Sequence, residues 1–410
     1  MKFTLAIANV ILASLAAATP LSSPNQAGGL EDRGSYGCSY DDRRCCKYQD
    51  GDYKPNGYEY PSSGDYKYPR TIYVKYPKKI QDAIDKAHPG DKIVVGAGTY
   101  AEQLTIKKDG IQLIGKGAIL VPPAKPVTND CSGLSGPGTQ TGICVVGYKV
   151  QLSTFIVEHV KVKSVKKLVS DVVVSGFHVQ KFSGVNIAVV GGKNALISKN
   201  RLSGAGSYGG LTLGSVNTHF DANKVDRAEF GAIGICMDNK SGVLISNNKV
   251  ANHLFGICVQ TNHADVQYNR VWDACFGIYV DPGTDGAKIR HNKVGKPSPI
   301  CEAIGFDAGI ILDGATNTKV LDNTIIDQRI GGNGTGIAVV DNPCKPTAQN
   351  PQLGLACITL GHAAVASGNV ILRNTLRNNE YDFFVDSKGK NVIACNPCKK
   401  SIPESICKAD

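Results

Sequence analysis

Three aspartates end copies of one pentapeptide: Gly234-Ile235-Cys236-Met237-Asp238, Gly277-Ile278-Tyr279-Val280-Asp281 and Gly309-Ile310-Ile311-Leu312-Asp313. Another copy, Gly256 to Gln260, ends in an amide, and a looser one starts at Gly336. If the copies stack, the aspartates form a column, with Asp281 and Asp313 on neighbouring coils about 4.8 Å apart at the backbone. Carboxylates that close bind a cation, share a proton or diverge. A hard oxygen-ligand site suits Ca2+, which makes Asp281, Asp313 and Asp238 candidate metal ligands. Calcium there would neutralise a uronate carboxylate and acidify its C5 proton for β-elimination. The reaction also needs a proton carrier. Tyr279, one outward position from Asp281, and His253, in the turn before the Gly256 strand, join Asp281 and Asp313 as candidate catalytic groups. The competing reading is turn chemistry, because Asp281-Pro282-Gly283 and Asp313-Gly314 are common turn formers.

The other half of the repeat positions this column. It reads apolar-x-x-Asn-x-apolar, with Asn at 200, 223, 248, 269, 292, 323 and 374, spaced 23, 25, 21, 23, 31 and 51 residues apart. A period in the low twenties built from short strands predicts a solenoid. One coil reads as three strands and three turns, with the Asn in a two-residue turn, where stacked amides satisfy backbone groups. These Asn are therefore expected to be structural. Apolar residues three before and two after each Asn, such as Ile245 and Val250, point inward. In the Gly-Ile strand the outward positions are then Cys236/Asp238, Cys258/Gln260, Tyr279/Asp281, Ile311/Asp313 and Ala338/Val340. Long inserts, Lys296 to Asp307 and Asp341 to Ser367, flank this strand and are expected to wall a groove on its outer face. Lys288 and Arg290 lie on another strand and read as surface charge.

The solenoid opens with an amphipathic helix, Ile80 to Ala87, stopped by His88-Pro89-Gly90-Asp91 and followed by short strands. The run Ile80-Gln81-x-Ala83-Ile84, Pro89-Gly90-Asp91, Val94-Val95, Gly98-Thr99-Tyr100, Leu113-Ile114-Gly115 resembles the start of right-handed parallel β-helix proteins of the pectate-lyase-like superfamily. The repeats at 171–394 resemble the coils of the same group. The resemblance implies an all-β, right-handed parallel β-helix with an N-terminal capping helix and a substrate groove along the Gly-Ile strand. It leaves the reaction open, because this superfamily holds lyases, hydrolases, esterases, epimerases and non-catalytic proteins. The polygalacturonase motifs Asn-Thr-Asp, Asp-Asp, Gly-His-Gly and Arg-Ile-Lys are missing. Asp281-Pro282 lacks the His of the epimerase Asp-Pro-His pattern.

Four segments are expected: a signal peptide at 1–18, a Tyr/Gly-rich, Cys-containing tail at 19–69, the β-helix at 70–398 and a C-terminal tail at 399–410. Lys2, the apolar run Leu5 to Ala18 and a small-residue cleavage site carry the first assignment, and with it secretion. Fourteen Cys fit an extracellular disulfide protein. Cys131 with Cys144 and Cys344 with Cys357 each bracket a loop, and Cys236 and Cys258 share a column within bridging distance. Asn239-Lys-Ser and Asn333-Gly-Thr are glycosylation sequons. The net charge of +10 is scattered without a block, which argues against a nucleic-acid partner and suits an anionic polysaccharide. The sequence-based expectation is a secreted monomeric lyase of uronic-acid polysaccharides, outside any membrane. The variants are a β-helix glycoside hydrolase or C5-epimerase, and the alternative is a non-catalytic protein binding cell-wall or host surfaces.

Overall fold

Each ladder asparagine follows a residue in the left-handed region (Lys199, Ala222, Asn247, Tyr268, His291, Asp322, Arg373), which turns the chain sharply enough for the Asn side chain to face along the stack. The computed structural model describes residues 69–155, 157–227, 229–345 and 354–408. The expected signal peptide, the Tyr-rich segment up to Tyr68 and Cys38, Cys45 and Cys46 lie outside the described residues. Two compact units are present, one ending at His253 and one beginning at Leu254.

In the first unit, Asn200 Nδ2 donates to Asn223 Oδ1 (3.2 Å), and Asn223 Nδ2 to Asn248 Oδ1 (3.0 Å). In the second unit the same ladder runs through Asn269, Asn292, Asn323, Asn374 and Asn396. These amides also bond buried backbone, as Asn292 Nδ2 does to Val266 O at 2.8 Å, so their role is structural as expected.

Three parallel sheets run through each unit. In the first unit, the first sheet contains Lys92–Val95, Gln112–Gly115, Val173–Ser175, Leu196–Ser198, Val216–Asp221 and Ser241–Ser246. The second contains His178–Gln180, Arg201–Ser203, Lys224–Asp226 and Lys249–Ala251. The third contains Thr141–Val146, Val185–Val190, Tyr208–Leu213 and Gly231–Asp238. The helix Ile80–Lys86 buries Ile80, Ala83 and Ile84, and the Glu102 carboxylate accepts the Ile80 and Gln81 N–H groups at its N-terminus. Ile197, Phe220, Ile245, Ile289 and Val320 are fully buried in the interiors of their units. In the second unit the Gly-Ile glycine is required by packing: a Cβ at Gly277 would collide with Gly309 O and with Val294 Cγ1.

Two expectations need correction. Strands of the first two sheets alternate buried and exposed positions, but Phe276–Val280, Asp307–Asp313 and Gly334–Val340 of the third sheet are buried at every residue. Inserted segments cover the outer face, so this face is a second packed layer where an open groove was expected. The C-terminal segment, read as a tail, adds the strand Ser401–Ile402 to the third sheet beside Tyr381–Asp386 and is tied by Cys398–Cys407. Cys131–Cys144 and Cys344–Cys357 form as expected. Cys275–Cys301, which closes the insert at 296–307, was not foreseen. Cys236, Cys258 and Cys395 are each disulfide-bonded.

Candidate functional site

In the first unit the third sheet is covered by an antiparallel hairpin, Tyr148–Leu152 with Val162–Lys167. Small residues let it settle there: Cβ atoms at Gly147 and Gly191 would strike Val165, and one at Gly214 would strike Val162. Val160 N bonds Leu134 O at 2.9 Å. The tip segment between the two hairpin strands thereby carries His159 and Lys161 onto the sheet.

His159, whose side chain is fully buried, sits between two sheet residues. Its Nδ1 is 3.2 Å from the Tyr208 hydroxyl and its Nε2 is 3.3 Å from Asp238 Oδ2. Lys161 Nζ donates to the same Asp238 oxygen at 3.0 Å. Burial alone would raise the Asp238 pKa, but the His159 hydrogen bond and the Lys161 charge outweigh it and bring the group down to about 2. Asp238 is therefore an acceptor only. A ring proton on Nε2, facing Asp238, lets Nδ1 accept from the Tyr208 O–H; Lys161 Nζ also lies 3.4 Å from Nε2. A carboxylate that orients an imidazole, which in turn takes a proton from a hydroxyl, is the arrangement that activates a hydroxyl. The Lys161 and Asp238 side chains are 44% and 22% exposed, so this cluster opens to solvent at one end.

The second unit holds a different cluster at the equivalent strand position. Tyr279 OH donates to Asp313 Oδ2, and Asn342 Nδ2 donates to the same oxygen at 2.7 Å. The described parts of the insert, 341–345 and 354–367, lie over both: Asn342 pairs with Ala364, Ala356 N bonds Asn342 Oδ1, and a Cβ at Gly314 would strike Ala364. Tyr279 and Asp313 are each 1% exposed. Burial raises the Asp313 pKa to about 6, against the lowering effect of the Tyr279 and Asn342 hydrogen bonds. Nearby rings fill the rest of the roof, with Phe276 at 6.3 Å from Phe306 and Phe306 at 6.0 Å from Phe384.

The residues expected at the site are thus distributed. Tyr279 and Asp313 meet. Asp281 is buried with Oδ2 at 3.2 Å from the sulfur of Cys258. His253 is no surface turn residue: it opens the strand His253–Val259, is buried, and burial lowers its pKa to about 4. Asp238 is held by two basic side chains and Asp313 by two hydrogen-bond donors, so the donor sets do not suit Ca2+. Among the described residues, no three Asp, Glu, His or Cys gather as a metal site would need. Arg290, read as surface charge, is paired with Asp265 at 2.9 Å with only 13% of either side chain exposed. Of the two sequons, Asn239 is buried, its Nδ2 donating to Thr218 Oγ1 at 2.6 Å, whereas Asn333 is exposed.

Sequence reasoning missed His159, Lys161 and Tyr208. His159 lies 49 residues from Tyr208 and 79 from Asp238. The available signal was the long break in the repeat between Val146 and Val173, which carries the hairpin.

A family described as a right-handed β-helix region matches residues 160–325. The A-module of mannuronan C-5 epimerase AlgE4 from Azotobacter vinelandii superposes with a TM-score of 0.53 at 15% identity, over 78% of this chain and 94% of that one. A Yersinia enterocolitica family 28 exopolygalacturonase gives 0.46 at 13% identity, covering 79% and 78%. A DFA-IIIase from Arthrobacter chlorophenolicus A6 gives 0.48 at 12%, covering 80% and 94%. At these identities the likeness speaks for the fold alone. No curated protein matches the sequence at a significant level. The described helices include none long and apolar enough to cross a membrane.

Proposed function

We propose that this chain, a right-handed parallel β-helix of the pectate-lyase-like type, is a polysaccharide-active enzyme that moves a sugar proton with Tyr208, acting as a lyase on a uronic-acid polymer. One observation carries the reading: His159 is held between an ionised Asp238 and the Tyr208 hydroxyl, with Lys161 at the solvent edge. His159 draws the phenolic proton onto Nδ1, and the phenolate oxygen takes the C5 proton of a uronate. The C–H electron pair forms the C4=C5 bond, the C4–O bond breaks, the leaving oxygen takes a proton from water, and the imidazolium returns its proton to the hydroxide so formed. Asp238 stabilises the imidazolium, and Lys161 faces the uronate carboxylate. No step uses a metal. Epimerisation is the variant in which the same carbanion is reprotonated from the other face. The disulfides and the basic charge agree with an extracellular enzyme meeting an anionic polymer.

A second reading places the chemistry at Tyr279 and Asp313, because Asp313 titrates near neutrality as a general acid or base does. Access to the reacting groups does not separate the two clusters, because Tyr208 and His159 are as buried as Tyr279 and Asp313; what favours the first is its solvent-facing Asp238–Lys161 edge, which the insert-covered cluster lacks. The alternative of a non-catalytic surface-binding protein is decided by the same assay. Incubation with a panel of polyuronides, read by absorbance of the unsaturated product and by NMR of the C5 configuration, is expected to give product with the native chain. Tyr208→Phe should lower turnover by about 100-fold or more. A panel that yields neither product rejects the enzyme reading.

A further inference from the structure

The position after each ladder asparagine is basic in five repeats: Arg201, Lys224, Lys249, Arg270 and Lys293, with Thr324 and Thr375 in the others. In the sequence these charges look scattered, but the fold files them. In the first unit Arg201 is the register partner of Lys224, and Lys224 of Lys249, on adjacent parallel strands of the second sheet. Each step is therefore about 4.8 Å. All three are exposed, while Leu202, Val225 and Val250 beside them are buried in the core, so the coil fixes the file and points it at solvent. His178 stands next in line, in register with Arg201.

Like charges on neighbouring strands work against folding. In the described part of this file, Asp226 answers two of them, at 2.9 Å from Lys224 and 3.5 Å from Arg201, while Lys249 has no acidic partner among the described residues. The His178 pKa is lowered, first by burial and then by the Arg201 charge, with Asp226 acting in the opposite sense. The second unit repeats the pattern by itself: Arg270 is in register with Lys293, and the Arg270 guanidinium lies 5.4 Å from the Trp272 ring centroid.

We propose that the cation file Arg201–Lys224–Lys249 on the outer face of the second sheet is a binding track for a linear acidic polysaccharide lying along the coil axis, apart from the third-sheet cluster. Its geometry selects the partner. One cation per coil in single file matches a chain that presents one carboxylate after another, whereas a nucleic-acid duplex presents two curved rows of phosphates. No described cysteine is free, which places the chain where extracellular polysaccharides, rather than nucleic acids, are the common polyanions. The track concerns retention on the polymer and holds whether or not the third sheet performs chemistry.

The test is equilibrium binding of the full chain to polygalacturonate at several salt concentrations, with dextran and duplex DNA as comparison ligands. Saturable binding to polygalacturonate that weakens with salt is expected, with none to dextran. The triple variant R201Q/K224Q/K249Q should bind at least about tenfold more weakly at an unchanged Tm. If that variant does not fold, Asp226→Asn provides the independent arm: it frees Arg201 and Lys224 and should tighten binding. Tyr208→Phe should bind as the native chain does, which separates a failure of the track from a failure of the catalytic reading. Native affinity in the triple variant, or no change in Asp226→Asn, would overturn the track. Equal affinity for duplex DNA would overturn the polysaccharide assignment.

Discussion

Asp238 and Asp313 end the same repeated pentapeptide, one in each unit, yet they have become chemically opposite groups. Asp238 meets His159 and Lys161 delivered by a hairpin, stays open to solvent at 22% of its side chain, and is pulled down to about 2. Asp313 meets a phenol and an amide beneath a disulfide-closed insert, and burial pushes it up to about 6. The repeat supplies identical strand positions, and the inserted segments decide what each carboxyl can do. Under the proposed function, this difference would put the chemistry at the first cluster and roof-fastening at the second.

The sharpest way to break this contrast is to remove one phenol oxygen from each cluster. Tyr208→Phe should cost about 100-fold or more in turnover, far more than the loss of about 1–3 kcal/mol in stability expected from its own buried hydrogen bond to His159. Tyr279→Phe should leave turnover within a few-fold and lower stability by about 1–3 kcal/mol, the cost of leaving a buried hydrogen-bonding group unsatisfied. The reverse pattern would move the active site to the insert-covered cluster.

Stability against pH sharpens the comparison next. Asp307, fully buried with both carboxyl oxygens unsatisfied, is raised to about 8 by burial and then by the Glu380 charge. An acid raised on folding binds its proton more tightly in the native state. Its ionisation therefore removes stability as pH climbs from the ordinary carboxylate range to the folded value. Asp307→Asn should raise stability at pH 8 by an amount on the order of 2 kcal/mol or more, seen as a higher Tm, and change little at pH 4. Asp313 acts in the same sense over a narrower window that ends near 6. Asp238 acts in the opposite sense: its contribution is present above the unfolded carboxylate range and is lost as pH falls toward 2. Melting curves of Asp238→Asn, Asp313→Asn and the native chain from pH 3 to pH 8 check all three signs. The smallest effect is on modification: a glycosylating host should decorate Asn333 and leave Asn239 bare, as intact-mass and peptide mapping would show.

The coil was readable in the sequence because it rests on local rules repeated many times. Asn at the short turn, apolar residues on either side and Gly before Ile each recur at a fixed offset, so stacking could be inferred without knowing a single long-range contact. The cluster around His159 was not readable on those terms. Its hairpin interrupts the repeat, and its partners are set by where that hairpin lands, which no periodicity encodes. For the same reason the register argument set Asp281 beside Asp313 but did not foresee that Tyr279 bonds Asp313, nor the burial of both: the roof consists of residues outside the repeat. The cation file is the opposite case. Arg201, Lys224, Lys249, Arg270 and Lys293 occupy one offset in the repeat and were legible, but a reading by sequence blocks counts them as scattered.

The central claim is that a sugar proton passes to Tyr208 after His159 has drawn off the phenolic proton in the first unit. The most direct measurement is solvent-deuterium exchange at C5 of a polyuronide incubated with the native chain and with Tyr208→Phe, followed by NMR together with product absorbance. The account predicts deuterium at C5 or an unsaturated product with the native chain, and neither above background with Tyr208→Phe measured well below its Tm, where it is folded. Equal exchange or product formation by both proteins would contradict it.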